Sequence, residues 1–306
     1  MRAVTYNAYT PNDSDLVYDE VPDPKVGPGQ VLIEVKAAGV NPVDWKVMSG
    51  GLDGMMDAEF PVIPGWDVAG VVTRLGPDTP EFSVGDEVLS YARKDSVHAG
   101  TFAQYVAVSA AHVARKPAGL SWPQTAGLPL AGLTALRSLD RLGVGPGDVL
   151  LVHGAAGGVG SMAVQIGVAR GARVIGTASE RNHEFVRGLG GEPAAYGEGV
   201  VERVRALSPD GVTAVADFVG GQLEVTLAVL APGGRHVSIT DPSVQQHGGH
   251  WIWVRPDGAK LAELVTLVDQ GALTVEVAET FPLTKVGEAF AASRSQHTRG
   301  KLIIVP

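Results

Sequence analysis

The segment Gly154-Ala155-Ala156-Gly157-Gly158-Val159-Gly160 puts four glycines into seven positions. It fits GxxGxxG and an alanine-first variant of GxGxxG. Glycine at such spacing permits a tight turn, lets the backbone approach a pyrophosphate and allows a helix to pack closely on a strand. The helix N-terminus that follows offers free N–H groups and about half a positive charge. A dinucleotide phosphate suits that corner, and a plain tight turn is the other reading of the same glycines. The next strand should end at the residue that meets the adenosine ribose. Here it ends in Ala178-Ser179, with Glu180 and Arg181 following. A small hydroxyl residue with a cation nearby suits a 2′-phosphate and favours NADP over NAD. The alternative is that Glu180 accepts from the ribose hydroxyl and Arg181 is its surface ion partner.

The elements that must hold this corner are legible around it. Residues 149–169 contain no Asp, Glu, Lys or Arg, so a membrane span is one reading. Five glycines between Gly154 and Gly167 argue against it, because a span of that length is dominated by Leu, Ile, Val and Phe. The alternative divides the stretch into a buried parallel strand (149–152), a glycine turn, and a helix with Val159, Ala163, Ile166 and Arg170 at helical spacing. A second strand, 173–177, closes a βαβ unit of roughly 30 residues. Further strands are expected at 213–218 and 235–239, with helices at 180–189, 199–207 and 221–230, which makes a doubly wound sheet. Upstream, 31–40, 68–76, 86–92 and 101–108 read as short strands of a β-rich domain. The last third reads as a helix over 256–271, the segment EVAETFPLT, a helix around 285–295 and the terminal strand GKLIIVP.

Composition bounds the chemistry. The chain has 306 residues, a formal net charge of −9 and no cysteine. That length accommodates two domains. Its acidic balance, with no basic run longer than Arg115-Lys116, argues against a nucleic-acid partner. The lack of cysteine excludes disulfides, cysteine-ligated zinc, iron–sulfur clusters and thiolate catalysis. The N-terminal MRAVTYNAYTPNDSD has no secretory pattern, so a cytoplasmic location is expected, with no membrane association.

The fragments AAGVNPVDWKVMSG (37–50), VIPGWDVAGVV (62–72), VGDEVLSYA (84–92), AGLTALRSL (131–139), HGAAGGVG (153–160), AVADFVGG (214–221), LAPGGRHVSI (230–239) and RGKLII (299–304) occur in one order that resembles the medium-chain dehydrogenase/reductase superfamily. Within it the chain is most similar to the zinc-free quinone and enone reductase branch that includes zeta-crystallin. The resemblance implies an α/β chain: a GroES-like catalytic domain over 1–117, a Rossmann NADP-binding domain over 118–253, and a C-terminal segment, 254–306, returning to the first. Zinc-dependent alcohol dehydrogenases of the superfamily carry a Cys where this chain has Asn41, and Gly-His-Glu where it has Gly65-Trp66-Asp67. The four-Cys structural lobe is missing too. Without a Lewis acid, reduction of an activated C=C bond or a quinone makes the smaller demand: donors for the charge that arrives on the carbonyl oxygen, and a proton.

By this resemblance Asn41, Asp44 and Lys46 lie beside the catalytic position, with Asn41 a polar contact and Lys46 a cofactor anchor or enolate stabiliser; plant-type enone reductases have a Lys at that place. The ordinary alternative is that Asn41 starts a turn before Pro42 and Lys46 is a solvated charge. Cofactor positions implied by motif are Thr134 at the nicotinamide, Gly154, Ala156, Gly157, Gly158, Val159 and Gly160 at the phosphates, Ser179 and Arg181 at the 2′-phosphate, and Tyr196 near the adenosine. Phe218, Val219 and Gly220 are expected at the end of the third Rossmann strand, and Gly300 and Lys301 in a segment closing the site. Packing accounts equally for Thr134 and Tyr196. Trp251 and Trp253 wall a pocket, a dimer seam or the core. His247 and His250 lack a convincing third metal ligand, His98 reads as a loop histidine, and His153 as structural or lining the phosphate approach.

The leading expectation is an NADPH-dependent reductase of a small quinone or α,β-unsaturated carbonyl, without a metal and acting as a homodimer. An enoyl-thioester reductase is the second reading, although no basic groove for a carrier is visible. An NADPH-binding protein with a structural or regulatory role is the third.

Overall fold

The computed structural model describes all 306 residues and divides the chain into two compact units. One comprises Met1–Leu130, Arg255–Gln270 and Val275–Pro306, the other Ala131–Val254 and Gly271–Thr274. Residues 118–130, expected with the nucleotide domain, fall in the first unit.

The first unit is built on a seven-stranded sheet, and its strands alternate apolar and polar residues or run wholly apolar where both faces are covered. The spatial order is β16 (Val277–Pro282), β17 (Lys301–Val305), β3 (Gln30–Val40), β5 (Asp67–Leu75), β6 (Glu87–Tyr91), β9 (Val113–Arg115), and β8 (Tyr105–Ser109) pairs with β3 off this path. Two short pairs flank it: β1 (Arg2–Thr5) with β2 (Val17–Glu20), and β4 (Ala58–Ile63) with β7 (Val97–Ala99). Helix α2 (Trp122–Gly127) starts from a capping box at Ser121 and Gln124 and packs Ala126 against Ala37, Ala69 and Ile303. That packing draws it to this sheet. Helices α8 (Gly258–Asp269) and α9 (Val286–Arg294) also belong here. The loop after β3 turns into α1 (Pro42–Met48) through a second capping box, in which Asp44 Oδ2 accepts from Asn41 N at 2.7 Å.

Two antiparallel registers assemble the first unit's polar cluster. Leu302 faces Val40 and Ile303 faces Gly39, which carries Lys301 opposite Asn41. Ala37 faces Ala69, which brings Asp67 alongside Gly39.

The second unit is a doubly wound sheet of six strands in the order β12 (Glu192–Ala195), β11 (Arg173–Ala178), β10 (Val149–His153), β13 (Val212–Asp217), β14 (Leu230–Ser238), β15 (His250–Trp251), and every pairing is parallel. Its core gathers Leu151, Ile175, Val204, Val212, Val215 and Val229, each burial worth about 1.5–3 kcal/mol. Helices α4 (Gly158–Ala169), α5 (His183–Gly188), α6 (Val200–Leu207) and α7 (Leu223–Val229) connect the strands, and α3 (Pro129–Leu142) enters this unit from Ala131 on. Sequence patterning locates β10, β11, β13 and β14 and helices α4 to α7, but not β12, whose Glu-Pro-Ala-Ala is too short and too poor in β-formers to read as a strand. Its presence corrects one expectation: the strand leading to Phe218 is the fourth of the sheet in chain order, and it lies beside the first. Trp251 ends β15 and Trp253 follows it, their rings 6.4 Å apart.

Candidate active site

In the second unit the sheet order reverses between β10 and β11 on one side and β13 on the other, and ligands of open α/β sheets sit at the carboxyl end of such a switch point. Gly154 leaves β10 at φ 74°, a conformation that only glycine adopts without strain. Its N–H donates to Thr177 Oγ1, and Ala155 N donates to Thr177 O, tying the turn to the end of β11. Helix α4 begins at Gly158, and a Cβ on Gly160 would stand 2.1 Å from Gly154 O, so the helix and the turn are in backbone contact. The first helical turn therefore points N–H groups that have no carbonyl one turn back at the space above the glycines. Ala156, Gly157 and Val159 complete that rim.

The structure places the other residues expected at the nucleotide as follows. Phe218, Val219 and Gly220 follow β13, and the buried Asp217 carboxylate shapes them: Oδ1 accepts from Val219 N and Gly220 N at 2.9 Å each, and Oδ2 from Ser238 Oγ at 3.0 Å. Val219 then reaches the turn, where a Cβ on Gly154 would meet it at 2.6 Å. Ser179 stands just past β11, its Oγ accepting from Asn182 Nδ2, with Glu180 and Arg181 exposed after it. Tyr196 is 61 % exposed at the tip of a loop that Arg203 holds through the carbonyls of Ala195, Tyr196, Gly197 and Glu198. Thr134 is buried on α3. His153 is buried as well. Thr177 Oγ1, which accepts from Gly154 N, lies 3.4 Å from His153 Nδ1, and the buried Nε2 of the same ring has no protein partner. Burial holds this histidine below its ordinary pKa, hence neutral at pH 7.

The first unit brings Asn41 and Asp44 together with two residues from distant strands. The Lys301 ammonium donates to Val40 O at 3.0 Å and to Asn41 Oδ1 at 2.5 Å, and stands 3.8 Å from Asp67 Oδ2. Asn41 Nδ2 donates to Asp67 Oδ2 at 2.9 Å, and Asp67 Oδ1 accepts from Leu130 N at 2.8 Å. All four side chains are buried. Lys301, expected in a segment closing the site, turns its ammonium inward onto the Asn41 loop through the β17–β3 register. Gly300 precedes it at φ 79°, where an added Cβ would meet Glu276 O at 2.4 Å. Lys46 does not join the cluster; it is exposed on α1, its ammonium 5.5 Å from the centre of the Trp45 ring.

Burial pushes the Asp67 carboxyl up to about 6, against the pull of Lys301 and Asn41, so it is ionised at neutral pH. Asp44, with Oδ1 lacking any partner, is pushed up to about 8 by burial and, after the opposing hydrogen bond from Asn41 N, by the Asp67 charge. It is neutral at pH 7. A carboxyl whose pKa is higher folded than unfolded adds stability that is complete below about pH 4 and is lost as pH rises through about 8. Asp44→Asn keeps an acceptor for the cap and removes that titration. The variant should therefore gain on the natural chain by up to ~1.4 kcal/mol per pH unit through this window. Urea midpoints at pH 5 and pH 9 check it; parallel pH dependence in the two proteins would refute the assignment.

A zinc ion finds no fit at the positions where zinc-dependent members hold ligands. Asn41 offers a neutral amide already bonded at both ends, Trp66 an indole, and Asp67 a carboxylate committed to three donors. No three His, Asp or Glu side chains gather anywhere as a metal would require, and His247 and His250 are not completed by a third ligand.

A six-stranded Rossmann sheet with a glycine turn between β10 and α4, in one chain with a GroES-like β domain, defines a pyridine-nucleotide oxidoreductase fold. Comparison with known proteins specifies the class. Residues 27–118 match the alcohol dehydrogenase GroES-like domain and residues 191–304 the zinc-binding dehydrogenase domain. Over the whole chain, 31 % of residues are identical to a chloroplastic quinone-oxidoreductase of Triphysaria versicolor, with 98 % of that protein covered. A chloroplastic NADPH-dependent alkenal/one oxidoreductase of Arabidopsis thaliana is 33 % identical, again over the whole chain and 80 % of the relative. The quinone oxidoreductase of Coxiella burnetii superposes with a TM-score of 0.89 at 32 % identity, covering 100 % of this chain and 99 % of that one. The chain belongs to the medium-chain dehydrogenase/reductase superfamily, in its quinone and enone oxidoreductase branch.

Proposed function

We propose that the protein is an NADPH-dependent reductase of small quinones or α,β-unsaturated carbonyl compounds that works without zinc. The observation that carries this reading is the glycine corner 154–160, whose backbone contact between turn and helix leaves a row of amides for a diphosphate. The names of the relatives, one a quinone reductase and one an NADPH-dependent alkenal/one reductase, support the acceptor class and the nucleotide.

When bound, NADPH supplies the hydride that the acceptor takes up. The protein's residues then have three tasks. The first-turn amides of α4 neutralise the diphosphate, while Ser179 and Arg181 take the 2′-phosphate. The Asp217-shaped loop and the Arg203-held Tyr196 loop border the nucleotide, and Thr134 orients its reactive end. Asn41 offers an amide N–H to the carbonyl oxygen as negative charge arrives there, a donor of a kind worth roughly 3 kcal/mol in the barrier. Asp44 is a carboxyl that carries a proton at neutral pH on the same loop, and Lys46, exposed on α1, is an anchor for the nucleotide. The absence of cysteine and the zinc misfit at Asn41, Trp66 and Asp67 support metal-free reduction.

We also propose a homodimer acting in the cytoplasm. The edge strand β15, paired only with β14, supports the first. No helix is long and apolar enough to cross a membrane.

Following NADPH oxidation with quinones, alkenals and an enoyl-CoA, before and after chelator treatment, tests the reading. Turnover of quinones or alkenals that a chelator leaves intact supports it; turnover of the thioester alone, or none at all, rejects it. Arg181→Ala should weaken NADPH roughly 10- to 100-fold, the equivalent of one lost charged hydrogen bond, with little effect on NADH. Equal losses for the two nucleotides would exclude Arg181 from phosphate recognition.

A further inference from the structure

The buried cluster of the first unit contains a cation that simple packing does not require. Lys301 is placed on a strand whose neighbours, Leu302, Ile303 and Ile304, are apolar and sealed, and its own side chain is 5 % exposed. Burying an ammonium is costly unless it is paired and hydrogen-bonded. Three partners offset that cost here: Val40 O, Asn41 Oδ1 and the Asp67 carboxylate. Their arrangement has a consequence for Asn41. An ammonium has only donors, so the atom it meets must be the amide oxygen; an ionised carboxylate has only acceptors, so the atom it meets must be the amide nitrogen. With Lys301 on one side and Asp67 on the other, the amide has a single permitted orientation. Rotating it by 180° would put N–H against ammonium and oxygen against carboxylate. Asp67 is itself fixed by Leu130 N, and the Asn41 backbone by Asp44. Every bond of the set thus ends on Asn41 or on a group that holds it, and one Nδ2–H is left uncommitted.

We propose that Lys301 and Asp67 are positioning residues that lock the Asn41 amide in one orientation, presenting a fixed N–H donor to the substrate carbonyl, and that this ammonium–amide–carboxylate set stands where zinc-dependent members of the superfamily place metal ligands. The inference rests on the reductase reading. It adds that the site carries its own resident cation as part of the polypeptide, and that this cation acts through Asn41 rather than by touching substrate or nucleotide.

The experiment compares the natural protein with Lys301→Met and Lys301→Ala. Three readouts are taken: NADPH affinity by fluorescence, steady-state kinetics with the best quinone or alkenal, and the side-chain amide signals of Asn41 by nuclear magnetic resonance. Lys301→Met keeps the chain length and apolar contacts but frees the amide to turn. Its kcat is expected to fall 10- to 100-fold with NADPH affinity changed less than threefold, and the two Asn41 Nδ2–H signals to shift or broaden. Lys301→Ala is expected to recover several-fold in kcat with added propylammonium, which restores the missing carbons and charge, and not with propanol. Unchanged kcat together with unchanged Asn41 signals in Lys301→Met, or equal rescue by propanol, would overturn the proposal. If the natural protein turns over no acceptor, the reductase reading fails by itself, and the amide signals still decide whether Lys301 orients Asn41.

Discussion

Alanine at position 160 is expected to abolish useful NADPH binding. The added Cβ would meet Gly154 O at 2.1 Å and the carbon of the same carbonyl at 2.7 Å, both well inside contact distance. Neither obstacle is a flexible side chain, so α4 must move away from the turn, and the first-turn amides move with it. Overpacking of this kind costs about 1–3 kcal/mol in stability. The larger effect is on the ligand, because the phosphate row works only when its N–H groups converge. A fall of at least ~100-fold in NADPH affinity, near 3 kcal/mol, is expected. Fluorescence titration of Gly160→Ala, with circular dichroism to establish that the sheet persists, checks it. Binding within threefold of the natural protein would show that the phosphates lie elsewhere.

The second large effect is on stability. Asp67→Ala strands the Lys301 ammonium in the interior and deprives Leu130 N and Asn41 Nδ2 of their acceptor. Breaking a buried pair by removing one partner costs about 3–5 kcal/mol, much of it the penalty of an uncompensated charge. Adding Lys301→Met to the same protein removes that charge and should return a substantial part of the loss. The pair of residues is then coupled in the sense of a double-mutant cycle. Urea unfolding of the four proteins measures it, and strictly additive losses would mean that the two groups do not stabilise one another.

How legible was this in the sequence? The glycine turn between β10 and α4 was nearly complete in it, because all its parts lie within one βαβ unit and the glycines carry the geometry themselves. The residues that shape its surroundings were missed for a physical reason. Asp217, Arg203 and Thr177 act by holding backbone groups, and no pattern of types and spacing announces a carboxylate that will cap two amides or a guanidinium that will collect four carbonyls. Strand β12 escaped because Pro193 and two alanines carry little β-propensity; tertiary pairing with β11 overrides it. In the first unit, the loop 41–46 was found but its true neighbours were not. Lys301 lies 260 positions from Asn41 and Asp67 lies 26, and only the antiparallel registers of β3 bring them together. The motif that pointed to Lys301 carried no sign of its partners Val40, Asn41 and Asp67. Lys46, taken from the same loop, followed the helical geometry of α1 out to solvent.

The place of β17 has a last consequence, for biosynthesis. It sits between β16 and β3, and of the strands in this sheet it is the last to be synthesised. Until then the β3 edge that it covers has no partner there, and bare strand edges invite pairing with other chains. Ala131–Val254, by contrast, emerges uninterrupted and can form most of the second unit while the first still waits. A nascent chain stalled before Lys301 would thus hold a nearly finished nucleotide unit tethered to an open sheet, a species that chaperones and quality-control proteases are built to find.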